Sequence, residues 1–143
     1  MVENKRQERK VGLWLDHEQV VIVTLTGKTV KTEKLMSGVE RHTRLAGGSR
    51  AATVYAAQDV ASESSHHRRF ENQLAAYYRR LIGRLKDADE LFVFGPAEAK
   101  IELKKALEKQ KSFRGKIVAV EPADKMTERQ IVAKVRQRFS RTQ

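Results

Sequence analysis

Leu91-Phe92-Val93-Phe94-Gly95-Pro96 is the stretch that decides the fold of this chain. Four consecutive apolar residues followed by Gly-Pro predict a short buried strand that ends at this dipeptide. Because proline is favoured in the first turn of a helix, we expect a helix from Ala97 to about Lys111. The apolar run from Ile117 to Val120 then predicts a second buried strand. Two buried strands joined by a helix form a βαβ unit, in which the strands are parallel and covered by helices.

Amphipathic helices are predicted on either side of this unit. Upstream, Ser64 or Ser65 can cap a helix that runs to about Lys86. Its apolar positions recur at helical spacing and are Phe70, Leu74, Tyr77, Tyr78, Leu81, Ile82 and Leu85. Downstream, Thr127 and Gln130 form a capping-box signature for a last helix. The expected buried face of this last helix consists of Ile131, Val132, Val135 and Phe139.

The N-terminal part of the sequence predicts three antiparallel strands. An apolar run from Val11 to Leu15 and a β-branched run from Gln19 to Thr26 flank the polar turn Asp16-His17-Glu18. Gly27-Lys28 then turns the chain into a third strand, Thr29 to Leu35, which has the alternation of an edge strand. Three strands followed by helix, strand, helix, strand and helix constitute one α/β domain.

A segment without regular pattern, residues 37–62, separates the third strand from the first helix. Connections this long are usually either functional or disordered. From Arg41 to Gln58 the segment contains three arginines, one histidine and no carboxylate, so an anionic partner is expected. Gly47-Gly48 permits backbone angles closed to other residues and close approach to a ligand. The predicted organisation is a flexible basic leader (1–10), one domain (11–140) with a long mobile loop, and a tail (141–143).

The composition also indicates an anionic partner. The 143 residues include 29 Lys and Arg against 18 Asp and Glu, a formal net charge of +11. Such an excess is typical of nucleic-acid-binding proteins, with a membrane surface as the rival anion. No apolar run approaches the roughly 18 residues of a spanning helix and no signal peptide is recognisable, so we expect a cytoplasmic protein with no membrane partner. The absence of cysteine excludes thiolate chemistry, and the histidine spacing fits no metal site, so no metal or other cofactor is expected.

Arginine and lysine are concentrated on the predicted first helix. The cations there are Arg68, Arg69, Arg79, Arg80, Arg84 and Lys86, against a lone Glu71. Charged helix faces are often only solvated surfaces. Because the net charge exceeds what solubility requires, we expect this face to contact phosphates.

A metal-dependent nuclease is an alternative suggested by Asp16. This residue ends the first strand in an order of elements shared with ribonuclease-H-like nucleases, which need several carboxylates around two metal ions. Asp87, Asp89 and Glu90 precede the fourth strand and could not readily meet Asp16 in this arrangement. We therefore interpret Asp16 and His17 as parts of a hairpin turn.

Several motifs together resemble a known family. They are the Gly47-Gly48 loop, a long basic helix from His66 to Lys86, a strand that runs into Phe94-Gly95-Pro96-Ala97-Glu98-Ala99-Lys100, a strand from Lys116 to Glu121 and a last amphipathic helix. This succession resembles the middle domain of the archaeal and eukaryotic class I release factor and Pelota family. It is most similar to the small bacterial form described as a translational-machinery protein. The stretches that carry that likeness are Val39 to Gly48, Gln58 to Glu63, Gly95-Pro96 and Ala123 to Thr127. The resemblance covers about residues 11–140 and implies an α/β fold with a ribonuclease-H-like three-layer core.

The resemblance also implies a partner and a site. In the release factors the loop ahead of the long helix ends in Gly-Gly-Gln and enters the peptidyl-transferase centre, where it helps to hydrolyse peptidyl-tRNA. Here Gly47 and Gly48 match but Ser49 stands in the place of the glutamine, so we expect no catalysis and instead binding to the ribosome, rRNA or tRNA. The predicted binding residues are Arg41, His42, Arg44, Gly47, Gly48, Ser49, Arg50, Arg68, Arg69, Arg79 and Arg80. Besides the nuclease, the alternatives are a catalytic release or rescue factor with a modified loop, and an interaction module whose loop binds a protein.

Overall fold

A computed structural model describes residues 7–39 and 56–140, with side chains described for 7–39 and 65–140. The described chain forms a mixed five-stranded sheet with the strand order β3-β2-β1-β4-β5. The strands are β1 (Arg9–Leu15), β2 (Gln19–Thr26), β3 (Thr29–Met36), β4 (Glu90–Gly95) and β5 (Lys116–Pro122). The helices are α1 (Ala56–Leu85), α2 (Ala99–Lys109) and α3 (Glu128–Ser140).

The first three strands form the predicted antiparallel meander. β1 pairs with β2 and β2 with β3, both antiparallel. The Asp16 carboxylate closes the first turn, because its Oδ1 accepts hydrogen bonds from the backbone N–H groups of Glu18 (2.8 Å) and Gln19 (2.9 Å). This confirms the hairpin-turn interpretation. The predicted leader is two residues too long, since Arg9 and Lys10 extend the ladder opposite the end of β2.

The second half confirms the βαβ prediction. β4 pairs in parallel with β1 on one side and with β5 on the other. One core cluster packs α1 and α2 on one face of the sheet, with Leu81, Leu85 and Leu103 fully buried. A second cluster packs α3 on the opposite face, with Ile131 and Val135 against Trp14 and the rings of β4. The molecule is therefore the expected three-layer α/β sandwich.

Helix α1 begins much earlier than predicted, at Ala56 rather than at Ser64 or Ser65. The two serines lie inside the helix and do not cap it. Residues 56–62, which were assigned to the loop, contain no glycine or proline and include three alanines, the strongest helix former. Their lack of apolar periodicity concealed this helical propensity. The middle of the predicted loop, residues 40–55, lies outside the described residues.

The other two helices follow the sequence pattern closely. α2 starts at Ala99, two residues after the predicted start, because Gly95 (φ 152°) and Ala97 (φ 53°) form the turn between β4 and the helix. At α3 the capping box is present: Gln130 N–H donates to Thr127 Oγ1 at 3.2 Å, and Thr127 N–H donates to Gln130 Oε1 at 2.8 Å. The predicted face of α3 is confirmed at its three buried positions, Ile131, Val135 and Phe139.

Four of the five strands run in the same direction. β1, β4 and β5 are parallel, and β3 shares their direction because it is antiparallel to β2. Leu15, Met36, Gly95 and Pro122 therefore end at one side of the sheet, which we term the carboxyl edge. The chain leaves the sheet at this edge after β3, so the edge is the place to look for a functional site.

Candidate functional site

Helix α1 is about twice as long as the strands it covers. Its 30 residues span roughly 45 Å, whereas the seven residues of β1 span roughly 23 Å. α1 ends at Leu85, close to the start of β4 at the opposite edge, so its N-terminal part extends beyond the carboxyl edge. From Ser65 to Arg69 the side chains are exposed or only partly buried, and among the described side chains of α1 the first buried one is Leu74. Within the described part of the chain, no helix is both long and apolar enough to cross a membrane.

The predicted binding arginines of α1 fall on two different faces of the helix. Arg68 and Arg79 are exposed and lie eleven positions apart, which places them within about 20° on the helix circumference. Neither is ion-paired with another described residue. Arg69 is also exposed and lies about 100° further round. Arg68 and Arg79 therefore form an outward-facing pair, which we term the outer stripe.

Arg80 and Arg84 face the β3 side of the molecule instead. Nη2 of Arg80 donates to the Ser37 carbonyl oxygen at 2.8 Å, and its guanidinium lies 6.0 Å from the ring centroid of Tyr77. Arg84 is ion-paired with Glu33 of β3. The sequence pattern grouped these arginines with Arg68 and Arg79, but the structure gives them contacts within the chain.

The remaining predicted binding residues lie outside the described residues. They are Arg41, His42, Arg44, Gly47, Gly48, Ser49 and Arg50. The chain that carries them leaves the carboxyl edge after Val39 and resumes at Ala56, the first residue of α1. Both chain ends of the predicted loop are therefore described, and they connect the carboxyl edge to the projecting end of α1.

A polar cluster at the carboxyl edge was missed by the sequence analysis. Oε1 of Glu102 accepts a hydrogen bond from the Tyr78 hydroxyl at 2.5 Å and lies 3.0 Å from Nε2 of His17. The His17 ring also packs edge-on against Phe70. The sequence analysis treated His17 only as a turn residue, and an isolated histidine gives no signal of a partner 85 residues away. The cluster connects the β1–β2 turn to α1 and α2.

Tyr77 and Tyr78 are buried, as the apolar face of the helix predicted. Burial raises the pKa of the Tyr77 hydroxyl, and the nearby Asp16 carboxylate adds to the increase. Burial also raises the pKa of Tyr78, helped by its hydrogen bond to Glu102. Each shift has the same physical cause, since a phenolate would lose its hydration and face a carboxylate. Both tyrosines remain neutral donors at physiological pH.

The carboxylates needed for a nuclease do not converge in the described structure. Asp16 uses Oδ1 to close its turn, while Asp89 accepts a hydrogen bond from Arg9 N–H (2.7 Å) at the opposite edge of the sheet. Among the side chains of residues 7–39 and 65–140, no group of three or more His, Asp or Glu could hold a metal ion. The separation between Asp16 and Asp89 is what the sequence predicted.

Comparison with solved structures identifies the architecture. Pelota from Thermoplasma acidophilum superposes with a TM-score of 0.54 at 13% identity, over 91% of this chain and 32% of that one. Pelota from Archaeoglobus fulgidus superposes with a TM-score of 0.52 at 14% identity, over 96% of this chain and 33% of that one. The archaeal translation termination factor aRF1 superposes with a TM-score of 0.52 at 13% identity, over 90% of this chain and 34% of that one. The chain has a Pelota- and aRF1-like fold.

This result confirms the resemblance to the release factor and Pelota middle domain at the level of the fold. No protein-family model matches the sequence, and no curated protein matches it. The chain spans about a third of the length of the Pelota and aRF1 structures that it matches. At 13–14% identity, the Pelota-like fold defines the arrangement of the strands and helices, and function has to be argued from the site.

Proposed function

We propose that this protein is a non-enzymatic translation factor that binds the ribosome, rRNA or tRNA in the cytoplasm. The main support is the Pelota- and aRF1-like fold, which accounts for at least 90% of the chain. One of those neighbours is by name a translation termination factor. The remaining support comes from where the basic residues lie on this fold.

The carboxyl edge and the projecting end of α1 form the proposed RNA-binding side. The chain between Val39 and Ala56 starts and ends there, and it includes Arg41, Arg44 and Arg50 without any carboxylate after Glu40. The outer stripe of α1 provides two further cations whose side chains are exposed. Arginine suits phosphate because its planar guanidinium can donate two parallel hydrogen bonds. Because α1 extends beyond the carboxyl edge and is narrower than the sheet, it can enter an RNA cavity that is too small for the whole domain.

The proposed activity is binding without hydrolysis. The release-factor mechanism requires a glutamine after the two glycines, and this chain has Ser49 there. Serine cannot replace the amide group, and Ser49 has no neighbouring base in the sequence that could make it a nucleophile. The loop is therefore proposed to recognise RNA through its charge and its glycines, with Gly47 and Gly48 allowing close approach of the backbone.

Salt-dependent binding tests this proposal. We expect the protein to sediment with ribosomal particles on a sucrose gradient and to lose affinity steeply as salt rises, because each phosphate contact releases counterions. The double variant Arg68→Ala/Arg79→Ala should lower the log–log slope by about 0.7–0.9 for each contact that is lost. Its stability should hardly change, since exposed charges contribute little to folding.

A matched control is the double variant Lys28→Ala/Arg136→Ala. It removes the same charge from exposed positions in the β2–β3 turn and late in α3, at the edge of the sheet opposite the carboxyl edge, and should leave the slope unchanged. An equal reduction of the salt slope in both double variants would show that binding depends only on the net charge of the protein. Wild-type protein that does not sediment with ribosomes and binds neither rRNA nor tRNA would contradict the proposal. Release of peptide from peptidyl-tRNA that is abolished by Ser49→Ala would instead support the catalytic alternative.

A further inference from the structure

A closed ring of contacts joins α1 to the two chain segments at the carboxyl edge. The Tyr77 hydroxyl donates to the carbonyl oxygen of Asp16 at 3.1 Å, and the Asp16 carboxylate accepts from Glu18 N–H at 2.8 Å. The Glu18 carbonyl accepts from Ser37 N–H at 2.8 Å. Arg80 then donates to the Ser37 carbonyl and lies over the Tyr77 ring, which closes the circuit. We term these five residues the stem ring.

Ser37 is the residue of the stem ring that is closest to the predicted loop. Ser37 is only 7% exposed, and besides the buried tyrosines and Trp14 no other polar residue is buried among those whose side chains the structure describes. Its Oγ accepts a hydrogen bond from Val39 N–H at 3.1 Å, across Gly38, whose φ is 71°. Ser37 thus uses its N–H, its carbonyl and its hydroxyl to hold the last three residues before position 40.

We propose that Arg80 is a positioning residue for the RNA-binding segment and not itself a phosphate contact. This inference rests on the proposed function. Arg80 holds the Ser37 carbonyl against α1, the same helix whose N-terminus receives the chain at Ala56. The stem ring therefore sets where the chain departs relative to where it returns. Loss of the ring should weaken RNA binding, because the point at which the chain leaves the carboxyl edge would no longer be fixed relative to α1.

Arg79 provides a matched control on the neighbouring position of the same helix. Arg79 and Arg80 are both exposed arginines, but of the two only Arg80 donates a hydrogen bond to Ser37. A direct phosphate contact and a positioning contact differ in their salt dependence. Loss of a phosphate contact lowers the log–log salt slope, whereas loss of positioning lowers the affinity at every salt concentration without changing the slope.

The experiment compares Arg79→Ala, Arg80→Ala, Arg80→Lys and Tyr77→Phe with the wild type. For each protein, ribosome affinity is measured over a range of salt, and amide hydrogen exchange is measured at residues 36–39 of the free protein. In Arg80→Ala we expect exchange at Ser37 and Val39 to be faster by roughly tenfold, as for the loss of one charged hydrogen bond. Affinity should fall about three- to tenfold with an unchanged slope. Arg79→Ala should show the opposite: a lower slope and unchanged exchange.

The other two variants separate charge from geometry. Arg80→Lys keeps the charge but loses the planar donor group, so it should bind more weakly than the wild type with the same slope. Tyr77→Phe opens the ring at Asp16 without any change of charge and should act in the same direction. A slope reduced in Arg80→Ala as much as in Arg79→Ala would overturn the proposal, because Arg80 would then be a phosphate contact.

The exchange measurement keeps this proposal separate from the proposed function. If the wild type does not bind ribosomes or RNA, the proposed function fails. Hydrogen exchange at Ser37 and Val39 still decides whether Arg80 fixes the position of Ser37. Unchanged exchange in Arg80→Ala would refute the stem ring whatever the binding result. Faster exchange with unchanged ribosome affinity would show that the ring is structural only, and would refute the positioning role.

Discussion

At the scale of single residues, each buried tyrosine of α1 packs its ring in the core and donates a hydrogen bond from its hydroxyl. The rings of Tyr77 and Tyr78 belong to the main core cluster, while their hydroxyls reach the Asp16 carbonyl and the Glu102 carboxylate at its rim. A buried hydroxyl without a partner would be costly, so each ring position also requires its acceptor. The apolar periodicity of α1 predicted the burial of the rings but contained no information on the acceptors.

Because of these tyrosines, the free energy of unfolding should decrease at alkaline pH. Their pKa values are raised in the folded state, whereas in the unfolded chain tyrosine ionises near pH 10. Their contribution is therefore fully present below about pH 10 and is lost as the pH rises beyond it, by roughly 1.4 kcal/mol per pH unit for each tyrosine. Tyr78→Phe should lower stability at pH 8 by about 1 kcal/mol, because the hydrogen bond to Glu102 is lost. Above pH 10 its stability should fall less steeply than that of the wild type.

Urea denaturation at several pH values from 8 to 11 measures both effects. The comparison with wild type cancels the titration of lysines, which both proteins share. Parallel stability curves above pH 10 would contradict the raised pKa of Tyr78.

At the scale of elements, the connection from β4 to α2 has a tightly constrained backbone. Gly95 has a φ of 152°, and a Cβ atom at this position would lie 2.2 Å from the Leu15 carbonyl oxygen. The backbone carbonyl cannot move away, because β1 and β4 pair side by side at this point. Ala97 follows with a φ of 53°, and Ala123 N–H donates to the Gly95 carbonyl at 3.0 Å. The Gly95-Pro96 pair therefore joins three strand ends at the carboxyl edge.

Two glycine-to-alanine substitutions should have opposite effects on stability. Gly95→Ala should destabilise the protein by about 2–4 kcal/mol, since it adds backbone strain and a clash with Leu15. Gly83 lies within α1, and apart from the adjacent residues and the surrounding helix backbone no atom lies within 4 Å of a methyl group added there, so Gly83→Ala should stabilise the protein by about 0.5–1 kcal/mol. Equilibrium denaturation measures both values. A neutral Gly95→Ala would show that the β4–α2 connection can relax, contrary to the geometry described.

At the scale of the whole molecule, the core clusters found among the described residues and the proposed phosphate contacts involve different side chains. The two core clusters are built from residues between Val11 and Val39 and between Phe70 and Phe139. The net charge of the chain is +11, but the proposed contacts are confined to the carboxyl edge and α1. Folding and RNA binding should therefore respond to different substitutions.

The triple variant Arg41→Ala/Arg44→Ala/Arg50→Ala tests this separation. Ribosome or tRNA affinity should fall, at about 1 kcal/mol or somewhat more for each charged hydrogen bond that is lost, and the salt slope should fall with it. The melting temperature should change by no more than a few degrees, since surface substitutions usually stay within about 0.5 kcal/mol. Binding isotherms and thermal denaturation on the same preparations give both values. A large loss of stability with unchanged binding would show that these arginines stabilise the fold and do not contact RNA.

Local patterns in the sequence determined most of the architecture. Runs of apolar residues, the Gly95-Pro96 pair and the capping box at Thr127 each depend on residues within a few positions of one another. They correctly predicted the five strands, the three helices and the parallel βαβ unit of the described chain. The early start of α1 was missed because alanine and glutamine favour a helix without showing an apolar period.

Only the tertiary structure decided which polar groups meet. His17 and Glu102 are 85 positions apart, and Arg80 reaches Ser37 across 43 positions. Such contacts depend on how the strands and helices pack together, and no local pattern in the sequence encodes that packing. For the same reason the basic face of α1 could be predicted as one surface, yet folding divides it: Arg68 and Arg79 face outward, while Arg80 and Arg84 contact the chain next to them.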